Sequence, residues 1–183
     1  VRPPSPRCLL PGASARATQD AQLRPIGVNN LHQTRGPFDP APILARLTDL
    51  TTSLRELFGF DAFRPGQEQV VRAAVADRDT LALMPTGSGK SLTYQLAAML
   101  RPEPTLVLSP LIALMKDQVD KLPPAIAPTA TFVNSSLSAT ETSSRLAEVA
   151  AGKKRLVYAA PERLRQAGFV KTLRELGIGL VVV

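Results

Sequence analysis

The chain carries the stretch Met84-Pro85-Thr86-Gly87-Ser88-Gly89-Lys90-Ser91 between two apolar runs. The run before it, Thr80 to Leu83, is short and typical of a buried strand, whereas Leu92 to Leu100 after it has the length of a helix. A strand, a glycine loop, a Lys-Ser pair and a helix in this order form the pattern of a phosphate-binding loop. The stretch therefore predicts that phosphate groups bind at the start of this helix.

Each residue type in this loop suits a chain of phosphates. The glycines lack a Cβ, so the backbone can curl and point its N–H groups inward, and the helix adds its N-terminal amides and the positive end of its dipole. Lys90 would reach the β- and γ-phosphates as a point charge, and the Ser91 hydroxyl would bind Mg²⁺. We therefore predict Lys90 and Ser91 as catalytic residues, Ser91 as the metal ligand, and a phosphate-binding set of Thr86, Gly87, Ser88, Gly89, Lys90 and Ser91.

One position departs from the usual loop pattern, which opens with a glycine five residues before the Gly-Lys pair. Met84 stands at that position. A chance Gly/Ser turn beside a lysine is the alternative interpretation. The flanking strand and helix favour the phosphate-binding loop.

Composition limits the class of protein. At 183 residues the chain has room for one ordinary domain, and 44% of its residues are hydrophobic. Its formal charge of +7 favours a polyanionic partner such as nucleic acid, although an arginine-rich composition without a specific partner would give the same charge. With Cys8 as its one cysteine and His32 as its one histidine, the chain can form neither an internal disulfide nor a Cys/His zinc cluster. The thiol usage fits a reducing compartment, the cytoplasm or the nucleus, and no apolar run is long enough to span a membrane.

The chain divides into two parts. Residues 1–40 are rich in Pro, Arg, Ser and Ala without a periodic apolar face, which predicts a disordered tail. Residues 41–183 are predicted to form the folded domain. The apolar run from Leu180 to Val183 reaches the last residue without a turn, so we expect the sequence to be a piece of a longer protein.

The folded part alternates between strand-like and helical patterns. A helix is expected from Ile43 to Phe58, ended by Gly59, and a second one from Pro65 to about Ala76. Ser138 and Glu141 form a capping-box pattern further along. Strand-like runs occur at 80–84, 105–109, 130–133, 155–159 and 178–183, and helical stretches at 90–100, 111–121, 138–151 and 162–175. This alternation predicts an α/β fold with a parallel sheet and helices on both faces.

Polar clusters follow the strands. The phosphate-binding loop follows the first strand, and the others are Ser109–Leu111, Asn134–Ser136 and Ala160–Leu164. Ligands of an open parallel sheet bind outside the carboxyl ends of its strands. We therefore expect all four clusters to lie along one edge of the sheet.

Five segments together resemble the ordered motifs of RecQ-type DNA helicases. The resemblance covers roughly residues 45 to 183, and its motifs are Leu57–Phe60, Phe63–Gln67, Met84–Ser91, Leu108–Val119 and Tyr158–Leu164. It implies the first RecA-like lobe of a superfamily 2 helicase, a P-loop NTPase fold. Members of that family use ATP with Mg²⁺ to move 3′ to 5′ along one DNA strand and act in DNA repair and recombination. A glycine is usually absent at the Met84 position in the family.

The resemblance assigns the segment from Phe60 to Gln67 to adenine recognition. The Gln67 amide can donate and accept together, which suits the N6/N7 edge of adenine. Arg64 would supply a second planar donor, and Phe60 would stack on the base. The alternative is that Phe58, Phe60 and Phe63 are core residues beside a helix cap; we expect this of Phe58 and Phe63.

The resemblance also assigns contacts with a bound DNA strand. Its candidate residues are Ser109, Pro110, Asn134, Pro161 and Arg163. Hydroxyls, amides, helix N-termini and cations are the usual phosphate partners. A solvated helix face is the alternative for Lys116, Asp117 and Lys121, and we expect it of Asp117. For Ser109, Asn134 and Arg163 both a DNA contact and a role without DNA stay open.

Parts of the catalytic machinery are not in this sequence. In the family an Asp-Glu-Ala-His run follows a strand such as Gly179–Val183, and a second lobe carries an arginine finger. We therefore expect the 183-residue chain alone not to hydrolyse ATP at a useful rate. A small-molecule kinase or transporter-type P-loop ATPase and a non-catalytic nucleic-acid-binding fragment stay open as alternatives, and the sequence does not indicate an oligomeric state.

Overall fold

The computed structural model describes residues 49–183 together with the backbone of the two-residue strand β1, Leu23–Arg24. The predicted tail and the predicted helical residues 43–48 lie outside the described residues. Within the described residues the first helix begins at Leu50, because the Asp49 carboxylate caps it by accepting from the Thr52 N–H at 2.9 Å. The helices are α1 Leu50–Phe58, α2 Gln67–Val75, α3 Lys90–Leu100, α4 Ile112–Asp120, α5 Ala139–Ala150 and α6 Ala167–Leu176. The remaining strands are β2 Leu81–Ala82, β3 Thr105–Leu108, β4 Ala130–Val133, β5 Leu156–Ala159 and β6 Leu180–Val182, and short 3₁₀ helices span Ala127–Thr129 and Pro161–Arg165.

Four strands form a parallel sheet in the order β4-β5-β3-β6. Val157 of β5 is opposite both Leu106 of β3 and Thr131 of β4, and Leu106 is also opposite Val181 of β6. Every residue of β5 is buried, as expected for a central parallel strand covered on both faces. The predicted α/β fold with a parallel sheet is confirmed.

The strand before the phosphate-binding loop differs from the prediction. β2 is two residues long and pairs antiparallel with β1, with Leu23 opposite Ala82 and Arg24 opposite Leu81. Among the described residues it has no pairing with the parallel sheet. Leu83, which follows it, is 69% exposed. The expectation that 80–84 belongs to the parallel sheet is therefore wrong for this structure, because an apolar run favours a strand without specifying its partner.

Two helical boundaries also differ. The stretch 162–175 is split into the 3₁₀ helix Pro161–Arg165 and α6, since Gln166 between them has an extended backbone with φ −88° and ψ 108°. The second helix begins at Gln67 rather than at Pro65. Gly66 has φ 83°, which is not a helical conformation, so the chain turns there and the helix starts after it. Both differences arise from turn conformations that periodicity does not reveal.

Helix caps agree with the sequence. The Ser138 hydroxyl accepts from the Glu141 N–H at 3.2 Å, and the Glu141 carboxylate accepts from the Ser138 N–H at 2.8 Å. The bonds that the Ser138 N–H and then the Ser138 hydroxyl donate to the Glu141 carboxylate hold the pKa of Glu141 below its usual range. Gly59 ends α1 with φ 73°, and its N–H donates to the Arg55 carbonyl. The capping box and the glycine stop are confirmed.

The core lies on both faces of the sheet. On one face α3 and α4 pack against β3 and β5 in a cluster that includes Met115, Val107 and Tyr158. Beyond it α1, α2 and α3 bury a second cluster with Leu54 at its centre, and both Phe58 and Phe63 pack against this second cluster half-buried. This confirms the packing expected of those two phenylalanines. On the other face α5 and α6 cover Leu106 and Val157. Within residues 49–183, none of the helices combines the length and apolar character that a membrane span requires.

A buried arginine joins two parts of this fold. Arg101, which follows α3, is 1% exposed. Its Nη1 donates to the Ala74 carbonyl at 2.6 Å, and its Nη2 donates to the Asp77 carboxylate at 3.0 Å and lies 3.5 Å from the Glu103 carboxylate. The sequence did not predict this buried group, because a single arginine after a helix resembles any surface cation.

Candidate functional site

The phosphate-binding loop takes the conformation that its glycines permit. Gly87 and Gly89 have φ of 77° and 80°, a region that other residues rarely adopt. A Cβ on Gly89 would also lie 2.5 Å from Nε2 of Gln67, so a side chain at position 89 would displace the Gln67 amide as well as strain the backbone. α3 begins directly after it at Lys90, and no described side chain caps this end. The first amides of α3 are therefore suited to an anion.

Lys90 is folded back onto its own loop. Its ammonium donates to the carbonyls of Met84 at 3.1 Å and Pro85 at 3.0 Å. The side chain is exposed, as are Thr86 and Ser91. Neutral carbonyls at an exposed position are weak partners for an ammonium, so a phosphate could replace them.

Two residues of the predicted adenine motif contact the same loop. Gln67 is 3% exposed; its Oε1 accepts from the Arg64 N–H at 2.9 Å, and its Nε2 donates to the carbonyls of Ser88 at 2.8 Å and Gly89 at 3.2 Å. The Arg64 guanidinium donates to the Gly87 carbonyl at 2.7 Å. The structure thus brings Gln67, Arg64 and the loop together. Both ends of the Gln67 amide are engaged by protein, and adenine reading by it stays a prediction.

A cleft of about 360 Å³ lies beside this contact. Phe60, which is 52% exposed, lines it as expected of a stacking residue. The other lining residues are Phe58, Ala62, Arg64, Gln67, Gly89, Leu92, Gln95, Lys121 and Pro123. The sequence did not predict Gln95, Lys121 and Pro123 as lining residues, since their proximity depends on how α3 and α4 pack.

Gln95 also belongs to a buried polar group behind the cleft. Tyr158 of β5 is fully buried, and its hydroxyl lies 3.4 Å from that of Tyr94 on α3. Burial raises the pKa of Tyr158, with the hydroxyl of Tyr94 as the next cause, and Gln95 hydrogen-bonds to it. Tyr158 therefore stays protonated and links α3 to the centre of the sheet.

The predicted DNA-contacting residues fall into two groups. Pro110 and Pro161 are exposed at the carboxyl ends of β3 and β5. Ser109 is buried, and its N–H donates to the Ala159 carbonyl at 3.0 Å. Asn134 is 2% exposed, and its Oδ1 accepts from the N–H and hydroxyl of Ser136. The bond of Ser109 is made by its backbone, whereas Asn134 is engaged through its side chain, at the edge where β3, β4 and β5 end. Contact of either residue with DNA stays a prediction.

Arg163 is also held within the protein. Its Nη1 donates to Gln166 Oε1 at 2.9 Å and its Nη2 to Thr142 Oγ1 at 2.8 Å, while its guanidinium lies 5.9 Å from the Phe169 ring centroid. These contacts join the 3₁₀ helix Pro161–Arg165 to α5 and α6. These bonds use two of the five N–H donors of the guanidinium, and contact of Arg163 with a phosphate stays a prediction.

The donor set suits a nucleotide rather than a protein-held metal centre. Within the described part of the chain, no group of three or more His, Cys, Asp or Glu side chains is arranged to hold a metal ion. The exposed Ser91 hydroxyl at the start of α3 could supply one oxygen ligand to Mg²⁺, with phosphate oxygens supplying others. The uncapped amides of α3 and the loop fit a triphosphate.

Comparisons with known proteins agree with this arrangement. The sequence pattern of the DEAD/DEAH box helicase family matches residues 64–183. The chain is similar to ATP-dependent DNA helicase RecQ of Haemophilus influenzae, with 39% identity over 136 residues, and of Bacillus subtilis, with 40% over 131 residues. It is 42% identical over 144 residues to ATP-dependent DNA helicase Q5 of Rattus norvegicus. These matches cover 73%, 71% and 76% of this chain and 22%, 22% and 14% of the relatives, so the chain spans about a fifth or less of their length.

The family pattern covers the phosphate-binding loop, the adenine segment from Arg64 onward and all three polar strand ends. Along the chain, the strands β3 to β6 alternate with helices and the glycine loop comes directly before α3, as predicted. The chain therefore belongs to the DEAD/DEAH box helicase family and, within it, to the RecQ helicases.

Proposed function

We propose that residues 41–183 form the first RecA-like lobe of an ATP-dependent DNA helicase. The observation that carries the proposal is the convergence of Arg64 and Gln67 on the carbonyls of the Gly87–Gly89 loop, beside a cleft large enough for a base. The names of the relatives support DNA as the substrate. The proposal includes movement from 3′ to 5′ along DNA and a role in DNA repair and recombination. It also places the protein in the bacterial nucleoid or the nucleus.

In this proposal the loop amides and the N-terminus of α3 hold the β- and γ-phosphates of ATP. Lys90 exchanges the carbonyls of Met84 and Pro85 for phosphate oxygens, which carry more negative charge. Ser91 orients Mg²⁺, which would neutralise charge on the transferred phosphate. Phe60 stacks on the base, and Arg64 keeps the loop aligned through the Gly87 carbonyl.

A bound DNA strand is proposed to lie along the edge where β3 and β5 end. Pro110 and Pro161 are exposed there, with the N-terminal ends of α4 and the 3₁₀ helix Pro161–Arg165 next to them. Residues 49–183 carry +3 of the formal charge of +7, which adds a modest attraction for a phosphate backbone. Ser109, Asn134 and Arg163 would then shape this edge, and contact by them stays a proposal.

The proposal is tested by ATP hydrolysis of the full-length protein with and without single-stranded DNA. We expect DNA to raise the turnover rate severalfold or more. A strand-displacement assay with 3′ and 5′ overhangs tests the direction of movement. A turnover rate that does not respond to DNA would favour the small-molecule kinase or transporter-type ATPase instead.

Gln67 gives a second test of the site. Gln67→Ala removes two hydrogen bonds to the loop and the proposed adenine contact, so we expect the KM for ATP to rise about tenfold and the preference for ATP over GTP to fall. Gln69→Ala, on the exposed side of α2, is the matched control. An equal loss for ATP and GTP would contradict adenine reading and leave Gln67 as a support of the loop.

A further inference from the structure

Lys121 follows the last residue of α4 and forms part of one wall of the cleft. Neither the phosphate-binding loop nor the adenine segment contributes to this wall. Lys121 lines the cleft together with Pro123, whereas Phe58, Phe60 and Ala62 come from α1 and the segment after it. The cleft walls are largely apolar, and their packing does not require a lysine. Lys121 is therefore a candidate for one of the few polar groups that orient a ligand in such a site.

The polar groups of this cleft differ in how firmly they are held. Arg64 and Gln67 are bonded to loop carbonyls, and Gln95 is 8% exposed beside Tyr158. Lys121 is held only at the surface: its ammonium donates to the Asp117 carboxylate at 2.7 Å, one turn earlier on α4, and its side chain is 74% exposed. An exposed pair of this spacing changes an equilibrium by only about twofold. Lys121 can therefore exchange Asp117 for another acceptor at little cost.

We propose that Lys121 is a positioning residue for the nucleoside end of the bound nucleotide. This inference rests on the proposed function, since it assumes that the triphosphate occupies the loop and the base occupies the cleft. Base ring nitrogens and ribose oxygens are acceptors, and an ammonium on a flexible four-carbon stem is a donor of three hydrogen bonds. Lys121 donates to these acceptors from α4, while Phe60 covers the face of the base from the segment after α1.

The experiment compares ATP with inorganic tripolyphosphate, which has the phosphates but no nucleoside. Dissociation constants of both, with Mg²⁺, are measured by calorimetry on the full-length protein. We expect Lys121→Met to weaken ATP about three- to fivefold and to leave tripolyphosphate unchanged within about twofold. We expect Lys121→Arg, which keeps the charge and the donors, to bind ATP within about twofold of the unmodified protein.

Lys116→Met is the matched control, because Lys116 is an exposed lysine of α4 that does not line the cleft. It is expected to bind both ligands unchanged. Unchanged ATP binding by Lys121→Met would overturn the inference alone. An equal loss for ATP and tripolyphosphate would also overturn it, because the ammonium would then act as a distant charge on the phosphates. Failure of the unmodified protein to bind either ligand would instead overturn the proposed function.

Discussion

Lys90→Ala is expected to lower DNA-stimulated ATP hydrolysis by the full-length protein at least about a hundredfold, the loss typical when one donor to a developing charge is removed. The Lys90 ammonium stands at the start of α3 and has only the carbonyls of Met84 and Pro85 as hydrogen-bond partners in the described structure. The alanine variant keeps the loop glycines and the helix amides but lacks the Lys90 ammonium. Binding of ATP should weaken less than turnover, because the amides still hold the phosphates.

The measurement is the steady-state rate of phosphate release with saturating DNA, together with a strand-displacement assay. Lys116→Ala removes an exposed lysine from α4 and should leave the rate within about twofold. Far-ultraviolet circular dichroism checks that both variants fold. Turnover by Lys90→Ala at the unmodified rate would contradict the assignment of Met84–Ser91 as the phosphate-binding loop.

Arg101→Ala is expected to lower the free energy of unfolding of this domain by about 3–5 kcal/mol, a large part of the roughly 5–15 kcal/mol that holds a typical domain together. Arg101 is 1% exposed, and its guanidinium is bonded to the end of α2 through the Ala74 carbonyl and the Asp77 carboxylate. Glu103, just before β3, lies beside it. Removal of the guanidinium leaves these acceptors without their buried cation.

Urea unfolding followed by circular dichroism measures this loss. Arg55→Ala is the matched control, because Arg55 pairs with Asp61 at 2.8 Å with both side chains exposed, and such pairs contribute at most about 1 kcal/mol. Arg101→Lys should give an intermediate loss, since a lysine keeps the charge but not the planar fork. A loss below about 1 kcal/mol for Arg101→Ala would show that the buried contacts contribute little net stability.

Replacement of Lys90 and replacement of Arg101 should give different readouts, the first in catalysis and the second in stability. Lys90 is exposed and its bonds are to neutral carbonyls, so its replacement should change chemistry without changing the unfolding midpoint much. The bonded partners of Arg101, which are Ala74, Asp77 and Glu103, do not line the cleft, so its replacement should lower stability first and activity only as the folded fraction falls.

Local patterns predicted the parts of the fold whose hydrogen bonds stay within a few residues. The Ser138–Glu141 capping box and the Gly59 stop formed as predicted, because each depends on atoms three or four residues apart. The glycine loop before α3 also formed, since its backbone needs positive φ at Gly87 and Gly89. The strand positions were predicted to within a residue or two where β-branched and apolar residues are buried on both faces, as in β3, β4 and β5.

The sequence by itself determined most of the helices, the strands β3 to β6, the glycine loop before α3 and the family, because these depend on residue spacing and on short-range hydrogen bonds. Only the tertiary structure decided that β2 pairs with β1, that Asn134 and Arg163 are engaged by protein, and that Lys121 reaches the cleft. It also decided that Arg101 is buried against α2. The physical reason is the same in each case: these contacts join residues far apart in the chain, and a side chain's partner is set by which elements pack together rather than by its neighbours in sequence.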